Sequence, residues 1–219
     1  MRLILTGLAA AIVFALFAAL VGPNFIDWSA RKPALEAQLS QALGLTVTLE
    51  GPIDITLLPS PRLSAGGASV AGGEGGAPLL TSQAARFELS APSLMRGEWR
   101  FVEATLARPV LALTLDKAGR LVAPKGGGDV AAGVDALTIA DGAVVLSGPD
   151  GAERARLDHI NLAGSADGLS GPFKAQGKIG SEQTGFRVTT GAAQGGRLRF
   201  KTVIDASAAA PRAEFDGVA

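Results

Sequence analysis

The side chains that could carry out chemistry are few, and the only histidine comes first. His159 directly follows Asp158 in the sequence LDHINL, and a histidine beside a carboxylate is a common arrangement for general base catalysis. Neighbouring residues on a strand point to opposite faces of a sheet, so these two side chains cannot form a catalytic pair directly. We expect His159 to be a surface or hydrogen-bonded histidine.

Two other polar patterns are typical of ligand sites but are incomplete. The glycines at 126–128 lack the Lys-Ser/Thr pair of a phosphate-binding loop, so a linker is the better interpretation. Four aspartates lie far apart and suit turns or polar strand faces better than a metal site: Asp54, Asp141, Asp150 and Asp158. Without a nucleophile–base or acid–base pair, the sequence predicts a protein that is not an enzyme and needs no metal or cofactor.

Charge and composition argue against a nucleic-acid-binding protein and against one held together by disulfides or cysteine-ligated metals. The 20 basic and 20 acidic residues balance, so no net field would attract nucleic acid, and we expect no nucleic-acid partner. The absence of cysteine excludes disulfides and cysteine-ligated metals. A length of 219 residues gives room for one domain of ordinary size or two small ones.

An apolar run without charges occupies residues 3–21. As a helix it would be about 28 Å long, close to the roughly 30 Å core of a bilayer. A signal peptide has a shorter apolar region of about 7–15 residues, and no Ala-x-Ala cleavage site lies between residues 12 and 23. We therefore predict that residues 1–24 are a retained transmembrane anchor. A cleaved signal peptide and a buried core helix are the alternatives.

After this run the spacing of the apolar residues changes from the period of a helix to that of a strand. Leu35, Leu39, Ala42 and Leu43 form one apolar stripe, which predicts a short amphipathic helix over 29–43 that ends at Gly44. Apolar residues then recur at every second position, before and after Gly51-Pro52, which predicts two strands. The prolines of Pro59-Ser60-Pro61 predict a turn after the second of these strands.

From residue 61 onward the pattern predicts about a dozen short strands in an extended antiparallel sheet. One expected hairpin joins residues 137–139 to 144–146 through a turn at Asp141-Gly142. Alternation places two sets of apolar residues on one face of the sheet: Leu111, Leu113 and Leu115 in one strand, and Leu198 and Phe200 in another.

Two groups of residues are placed to contact a membrane surface. Trp28 closely follows the predicted anchor, and indoles favour the membrane interface, although packing against the sheet is the competing role. Arg197, Arg199 and Lys201 form the polar face of the strand that carries Phe200. A solvated exterior is the expected role of these cations, and contact with lipid headgroups is the alternative.

Several motifs together resemble the N-terminal part of the AsmA family of envelope proteins. An IDW tripeptide follows the apolar run, and a helix ending at a glycine leads into GPIDITLLPSPRLS. The later segments PSLMRGEWRFVEATLARPVLALTLDKAGR, IADGAVVLSGPDG and LSGPFKAQGKI are similar to hairpins of the family. These motifs cover nearly the whole chain and mark turns and strands rather than catalytic residues.

The resemblance implies an anchor in the bacterial inner membrane, a periplasmic β-rich body at residues 25–219 and a role in outer-membrane integrity. It also implies similarity to groove-forming bridge proteins that carry lipids. AsmA-like chains are usually longer, with a large C-terminal region that this sequence lacks, which makes autonomous lipid bridging a less direct expectation.

Together these observations predict an open, curved β-groove, with a closed β-sandwich as the alternative. The predicted function is to bind phospholipid acyl chains along the apolar face and to contribute to lipid transport and outer-membrane assembly. The alternative is an assembly factor that affects protein targeting to the outer membrane through contacts with envelope proteins. The candidate groove residues are Leu111, Leu113, Leu115, Leu198 and Phe200.

Overall fold

A computed structural model describes residues 28–72, 76–98, 100–122, 133–167, 171–192, 199–205 and 212–218. Within these ranges twelve strands form one sheet, accompanied by two helices. The helices are α1 (Trp28–Leu43) and α2 (Ala91–Met95). The strands are β1 (Thr46–Thr56), β2 (Arg62–Ala71), β3 (Pro78–Ser82), β4 (Ala84–Leu89), β5 (Arg100–Ala107), β6 (Val110–Thr114), β7 (Gly133–Ser147), β8 (Glu153–Ala166), β9 (Phe173–Ile179), β10 (Thr184–Thr190), β11 (Arg199–Ile204) and β12 (Ala213–Val218).

The predicted membrane anchor at residues 1–24 lies outside the described residues. Among the helices that are described, none is long and apolar enough to cross a bilayer. The prediction for residues 1–24 therefore stays a prediction.

Helix α1 matches the predicted helix to within one residue, and Gly44, with a φ of 63°, ends it. Its predicted apolar stripe packs on the first two strands. Leu39 is buried in a core cluster with Val47, Leu49 and Leu63, and Leu43 packs against the same cluster.

Side chains of helix α1 also accept hydrogen bonds from the outer edge of β1. Among the described strands, β1 pairs only with β2. The backbone N–H groups of Val47 and Leu49 donate to Ser40 Oγ at 2.8 Å and to Glu36 Oε1 at 2.7 Å. An exposed sheet edge with free N–H groups is prone to pairing with other chains. The two helix side chains occupy these donors.

Replacing Glu36 by alanine should lower the free energy of unfolding by about 1–3 kcal/mol, because the Leu49 N–H would lose its acceptor in a partly buried site. Glutamine at this position keeps a side-chain oxygen and should cost distinctly less. Urea unfolding followed by circular dichroism measures both values. Equal losses for alanine and glutamine would show that the hydrogen bond to Leu49 contributes little.

The order of strands in the sheet follows their order in the chain once two pairs of short strands are each counted as one. Strands β3 and β4 lie end to end beside β2, and β5 and β6 lie end to end beside β7. Ala65 and Ala68 of β2 face Ala85 of β4 and Ser82 of β3 in one register. Strands β5 and β6 likewise keep one register against β7. The sheet therefore runs β1, β2, β3/β4, β5/β6 and then β7 to β12.

The prediction of a wholly antiparallel sheet is wrong at one step. Strand β7 runs parallel to both β5 and β6, whereas the other described pairings are antiparallel. Parallel neighbours need a long crossover connection. Eighteen residues separate β6 from β7, and β7 begins at Gly133 beside Arg100, at the end of the sheet at which β5 begins.

Two predicted strand breaks are also wrong. Strand β7 continues through Asp141-Gly142, so the expected hairpin there does not form, and β1 continues through Gly51-Pro52. Asp141 and Gly51 have φ angles of 54° and 68°, and the register shifts beside each of them. A single left-handed residue within a paired strand makes a β-bulge rather than a turn. By contrast, the turn predicted at Pro59-Ser60-Pro61 does separate β1 from β2.

These bulges form a row across the sheet. Arg108, between β5 and β6, has a φ of 46° and donates its N–H to Ala140 O, next to Asp141. His159 of β8, with a φ of 57°, lies against Asp141. We call Gly51, Arg108, Asp141 and His159 the bulge row. Residues that pair across neighbouring strands share a face of the sheet. The register shows that the same face continues past the bulge row, from one side of it to the other. The residues on this face are Leu106, Ile139, Leu162, Ile160, Gly142, Val144 and Leu111.

Candidate functional site

One face of the sheet is apolar from β7 to β12, and we call it the apolar face. Its residues form rows across the strands because each pairing places partners on the same side. The first row is Ile139, Leu162, Gly177, Phe186, Ile204 and Ala213. The second is Leu137, Gly164, Ala175, Val188, Thr202 and Phe215.

Most side chains of the apolar face are half-buried, although Ile160 of β8 is buried. Leu162, Phe186, Val188 and Phe200 keep intermediate exposure, and Phe215 is 53% exposed. Both buried core clusters lie elsewhere, on β1, β2, β4 and β5 beneath the helices. A closed sandwich would bury such a row of phenylalanine and valine side chains in a dry core. Over β8–β12 the described residues that are buried are Ile160 and Val203, which lie on opposite faces of the sheet, and neither belongs to a core cluster.

The opposite face of the same strands is mostly polar, although Val203 of β11 and Val218 of β12 also lie on it. Residues that alternate with the apolar rows include Lys174 and Gln176 of β9, Arg187 of β10 and Lys201 of β11, all of them exposed. This alternation makes the sheet amphipathic along its whole C-terminal half.

An apolar cavity lies at the N-terminal end of the sheet, between the two helices and the strands. It has a volume of about 300 Å³ and is lined by Leu35 and Leu39 of α1, Leu94 of α2, Leu63 and Phe101, among others. Helix α2 begins where Ser90 Oγ accepts from the Ser93 N–H at 3.3 Å. The helices therefore cover the apolar side of β1, β2, β4 and β5.

Two of the predicted groove residues lie together on β6. Leu111 pairs with Leu80 and Val144 and is 36% exposed, and Leu113 pairs with Leu146 and is half-buried. Leu115 follows the end of β6 and bridges to Leu121. Their assignment to a lipid groove stays a prediction.

The second predicted set is described only in part, since Leu198 and Arg197 lie outside the described residues. Phe200 lies on the apolar face, over Gly217 of β12: a Cβ placed on that glycine would lie 2.9 Å from Phe200 Cζ. Arg199 and Lys201 alternate with Phe200 and are exposed. Trp28 is the first described residue of α1, and its role at the membrane interface stays a prediction.

Lys201 forms an ion pair with Glu214 of β12. The hydrogen bond between them, and then their opposite charges, raise the pKa of Lys201 and lower the pKa of Glu214. Both side chains are about half exposed, so the pair contributes little to stability.

His159 is hydrogen-bonded on the surface, as the sequence predicts, but its partner was missed. Its Nδ1 lies 3.0 Å from Asp141 Oδ1, while the adjacent Asp158 pairs with Arg156 at 2.8 Å. The bulge row brings Asp141 beside His159, and only knowledge of the β7–β8 register could have predicted this contact. Both side chains are more than half exposed, so the pair lacks the shielded environment typical of a catalytic site. Among the described residues no group of three potential metal ligands lies close together.

The fold and the site define a class: an extended β-sheet with one continuous apolar face and a helical cover at its N-terminal end. A model of the AsmA family matches residues 1–124, more than half of the chain. The chain therefore belongs to the AsmA family, and this membership indicates a role associated with the cell envelope. Searches of curated proteins and of solved structures gave no match.

Proposed function

We propose that the protein is a non-enzymatic lipid-binding protein of the bacterial envelope, held in the inner membrane by residues 1–24 with its sheet in the periplasm. In this proposal its apolar face takes up phospholipid acyl chains in an open groove and contributes to lipid transport and outer-membrane integrity. N-terminal sequencing of the mature protein tests the anchor, and a start near residue 24 would contradict it.

The observation that carries the proposal is the half-buried apolar face of β7–β12. Five steps between neighbouring strands at about 4.8 Å give this face a width of roughly 24 Å. One leaflet of a bilayer core is about 15 Å thick, so the face can accommodate an acyl chain laid across the strands. Each methylene that leaves water contributes about 0.8 kcal/mol. A chain can therefore bind without directional contacts, and selectivity for the headgroup should be weak.

Photo-crosslinking from neighbouring residues tests the proposal. A photoreactive amino acid at Val188 of β10 lies on the apolar face, and the same amino acid at Thr189 lies on the polar face. We expect phospholipid adducts from position 188 and few from position 189, identified by mass spectrometry of the detergent-extracted full chain.

Two results would contradict acyl-chain binding at this face. Equal adduct yields at positions 188 and 189 would show that lipid contacts the sheet without using its apolar side. Adducts to envelope proteins instead of lipids at position 188 would support the alternative role in assembly through protein contacts.

A further inference from the structure

The polar face of β9 and β10 carries three cations that have no acidic partner among the described residues. They are Lys174 and Lys178 of β9 and Arg187 of β10, and we call them the basic patch. On earlier strands Arg86 donates to Ser64 Oγ at 3.5 Å, and four other arginines form ion pairs with carboxylates: Arg62 with Glu88, Arg100 with Asp135, Arg154 with Asp150 and Arg156 with Asp158. None of the described ion pairs includes a residue of the basic patch.

The register arranges these cations as a triangle. Arg187 faces Gln176, which lies midway between Lys174 and Lys178 on β9. Each lysine is thus a diagonal neighbour of Arg187, at about 7–8 Å. Ser165 and Thr189 flank Lys174, and together with Gln176 they line a shallow depression of about 330 Å³ between Lys174 and Arg187. The lining also includes Ala163, Gly164, Ala175 and Val188, so the depression combines apolar surface with two cations and with groups that can donate hydrogen bonds.

We infer that the basic patch docks on an anionic membrane surface, through lipid phosphates. The patch carries three positive charges, and the carboxylate of Asp205 lies nearby, over Gly185, the partner of Lys178. The net positive charge favours an anionic partner, and the rest of the surface distinguishes the kind. A protein interface usually has large apolar or aromatic residues at its centre. Val203, which pairs with Arg187, is apolar, but it is only 8% exposed and offers little surface to a partner. The other uncharged neighbours of these three cations on the polar face are small or polar, so electrostatic contact with headgroups fits better than an acidic protein.

This inference does not depend on acyl-chain binding, because it concerns the opposite face of the sheet. The apolar face remains turned away from a bilayer on which the patch rests. A protein that binds chains on one face and headgroups on the other could be positioned at a membrane without opening its groove to it.

Vesicle flotation with the full chain tests the inference. The chain is first held in phosphatidylcholine nanodiscs, so that the apolar run at 3–21 is shielded, and is then mixed with vesicles. We expect binding to vesicles of equal parts phosphatidylglycerol and phosphatidylcholine, and little to phosphatidylcholine alone. Each basic residue near an anionic surface favours binding about five-fold, so replacing Lys174, Lys178 and Arg187 by glutamine should weaken it by on the order of 100-fold.

Two matched variants control for net charge and folding. Replacing Arg100, Arg154 and Arg156 by glutamine removes the same charge from ion-paired positions and should leave binding within a few-fold of the wild type. Replacing Lys174 and Lys178 by arginine keeps the charge and should preserve binding. Raising the salt concentration from about 0.1 M to 1 M shortens the screening length from about 10 Å to 3 Å and should release the wild-type chain.

Four results would overturn the inference. The first is unchanged binding of the glutamine variant, and the second is equal loss in the ion-paired control. The third is competition by polyglutamate at concentrations too low to neutralise the vesicles, which would assign the patch to an acidic protein. Binding that survives high salt in the wild type would also exclude electrostatic docking, whether or not any variant folds.

Discussion

Replacing Leu49 by alanine should lower the free energy of unfolding by about 2–5 kcal/mol, the largest loss of stability expected from a single truncation in this chain. Leu49 has an exposed fraction of 0%, and among the described residues it is the large side chain that is fully buried. It lies in the core cluster that joins α1 to β1 and β2, with Leu39 and Leu63. The alanine variant leaves a cavity that these neighbours fill only in part.

The matched control is Leu157 of β8, which is 42% exposed. Its replacement by alanine removes the same atoms from a site that is already partly hydrated, so a loss below about 1 kcal/mol is expected. Urea unfolding of both variants gives the comparison. Equal losses at the two positions would show that the apolar side of β8 is as tightly packed as the helical end, and would argue for a closed core there.

This difference between the two ends has a consequence for function. The buried clusters hold the first strands and the helices together, whereas the apolar rows of β8–β12 remain half-exposed. The proposed function accounts for this difference, because a surface that takes up a flexible chain cannot also be filled by its own side chains. Stability is therefore concentrated in the part of the sheet that the helices cover.

The parts of the fold that could be predicted from sequence depend on local periodicity. The stripe of Leu35, Leu39 and Leu43 lies within a single helix, and its 3.6-residue period needs no knowledge of the rest of the chain. Alternation in β9–β11 likewise separated Phe200 from Lys201 correctly, because strand geometry fixes which side chains share a face.

The parts that were missed depend on the pairing partner of a strand. Asp141-Gly142 and Gly51-Pro52 have the composition of turns, but each lies within a strand that is paired along its length, so a bulge forms instead. The contact between His159 and Asp141 and the grouping of Lys174 with Arg187 join residues of different strands. No spacing within one strand could indicate either of them.

Replacing Val188 by glutamate should abolish lipid binding while leaving the sheet folded, and this result would most directly support the open groove. Val188 is half-buried at the centre of the apolar face, between Ala175 and Thr202. If the face is open, the carboxylate keeps its water while it disfavours an acyl chain, and we expect at least a ten-fold loss of lipid crosslinking. Circular dichroism and unfolding measurements should stay close to those of the wild type.

A closed sandwich predicts the opposite outcome, because the same carboxylate would then be buried without a partner at a cost of several kcal/mol and would unfold the domain. Thr189→Glu places an equal charge on the polar face of the same strand and should affect neither lipid nor fold. Leu113→Glu extends the test to β6, where the predicted groove residues Leu111 and Leu113 lie. A folded Leu113→Glu protein with undiminished crosslinking would confine the groove to β7–β12, and the same result at Val188 would exclude this face as the lipid site.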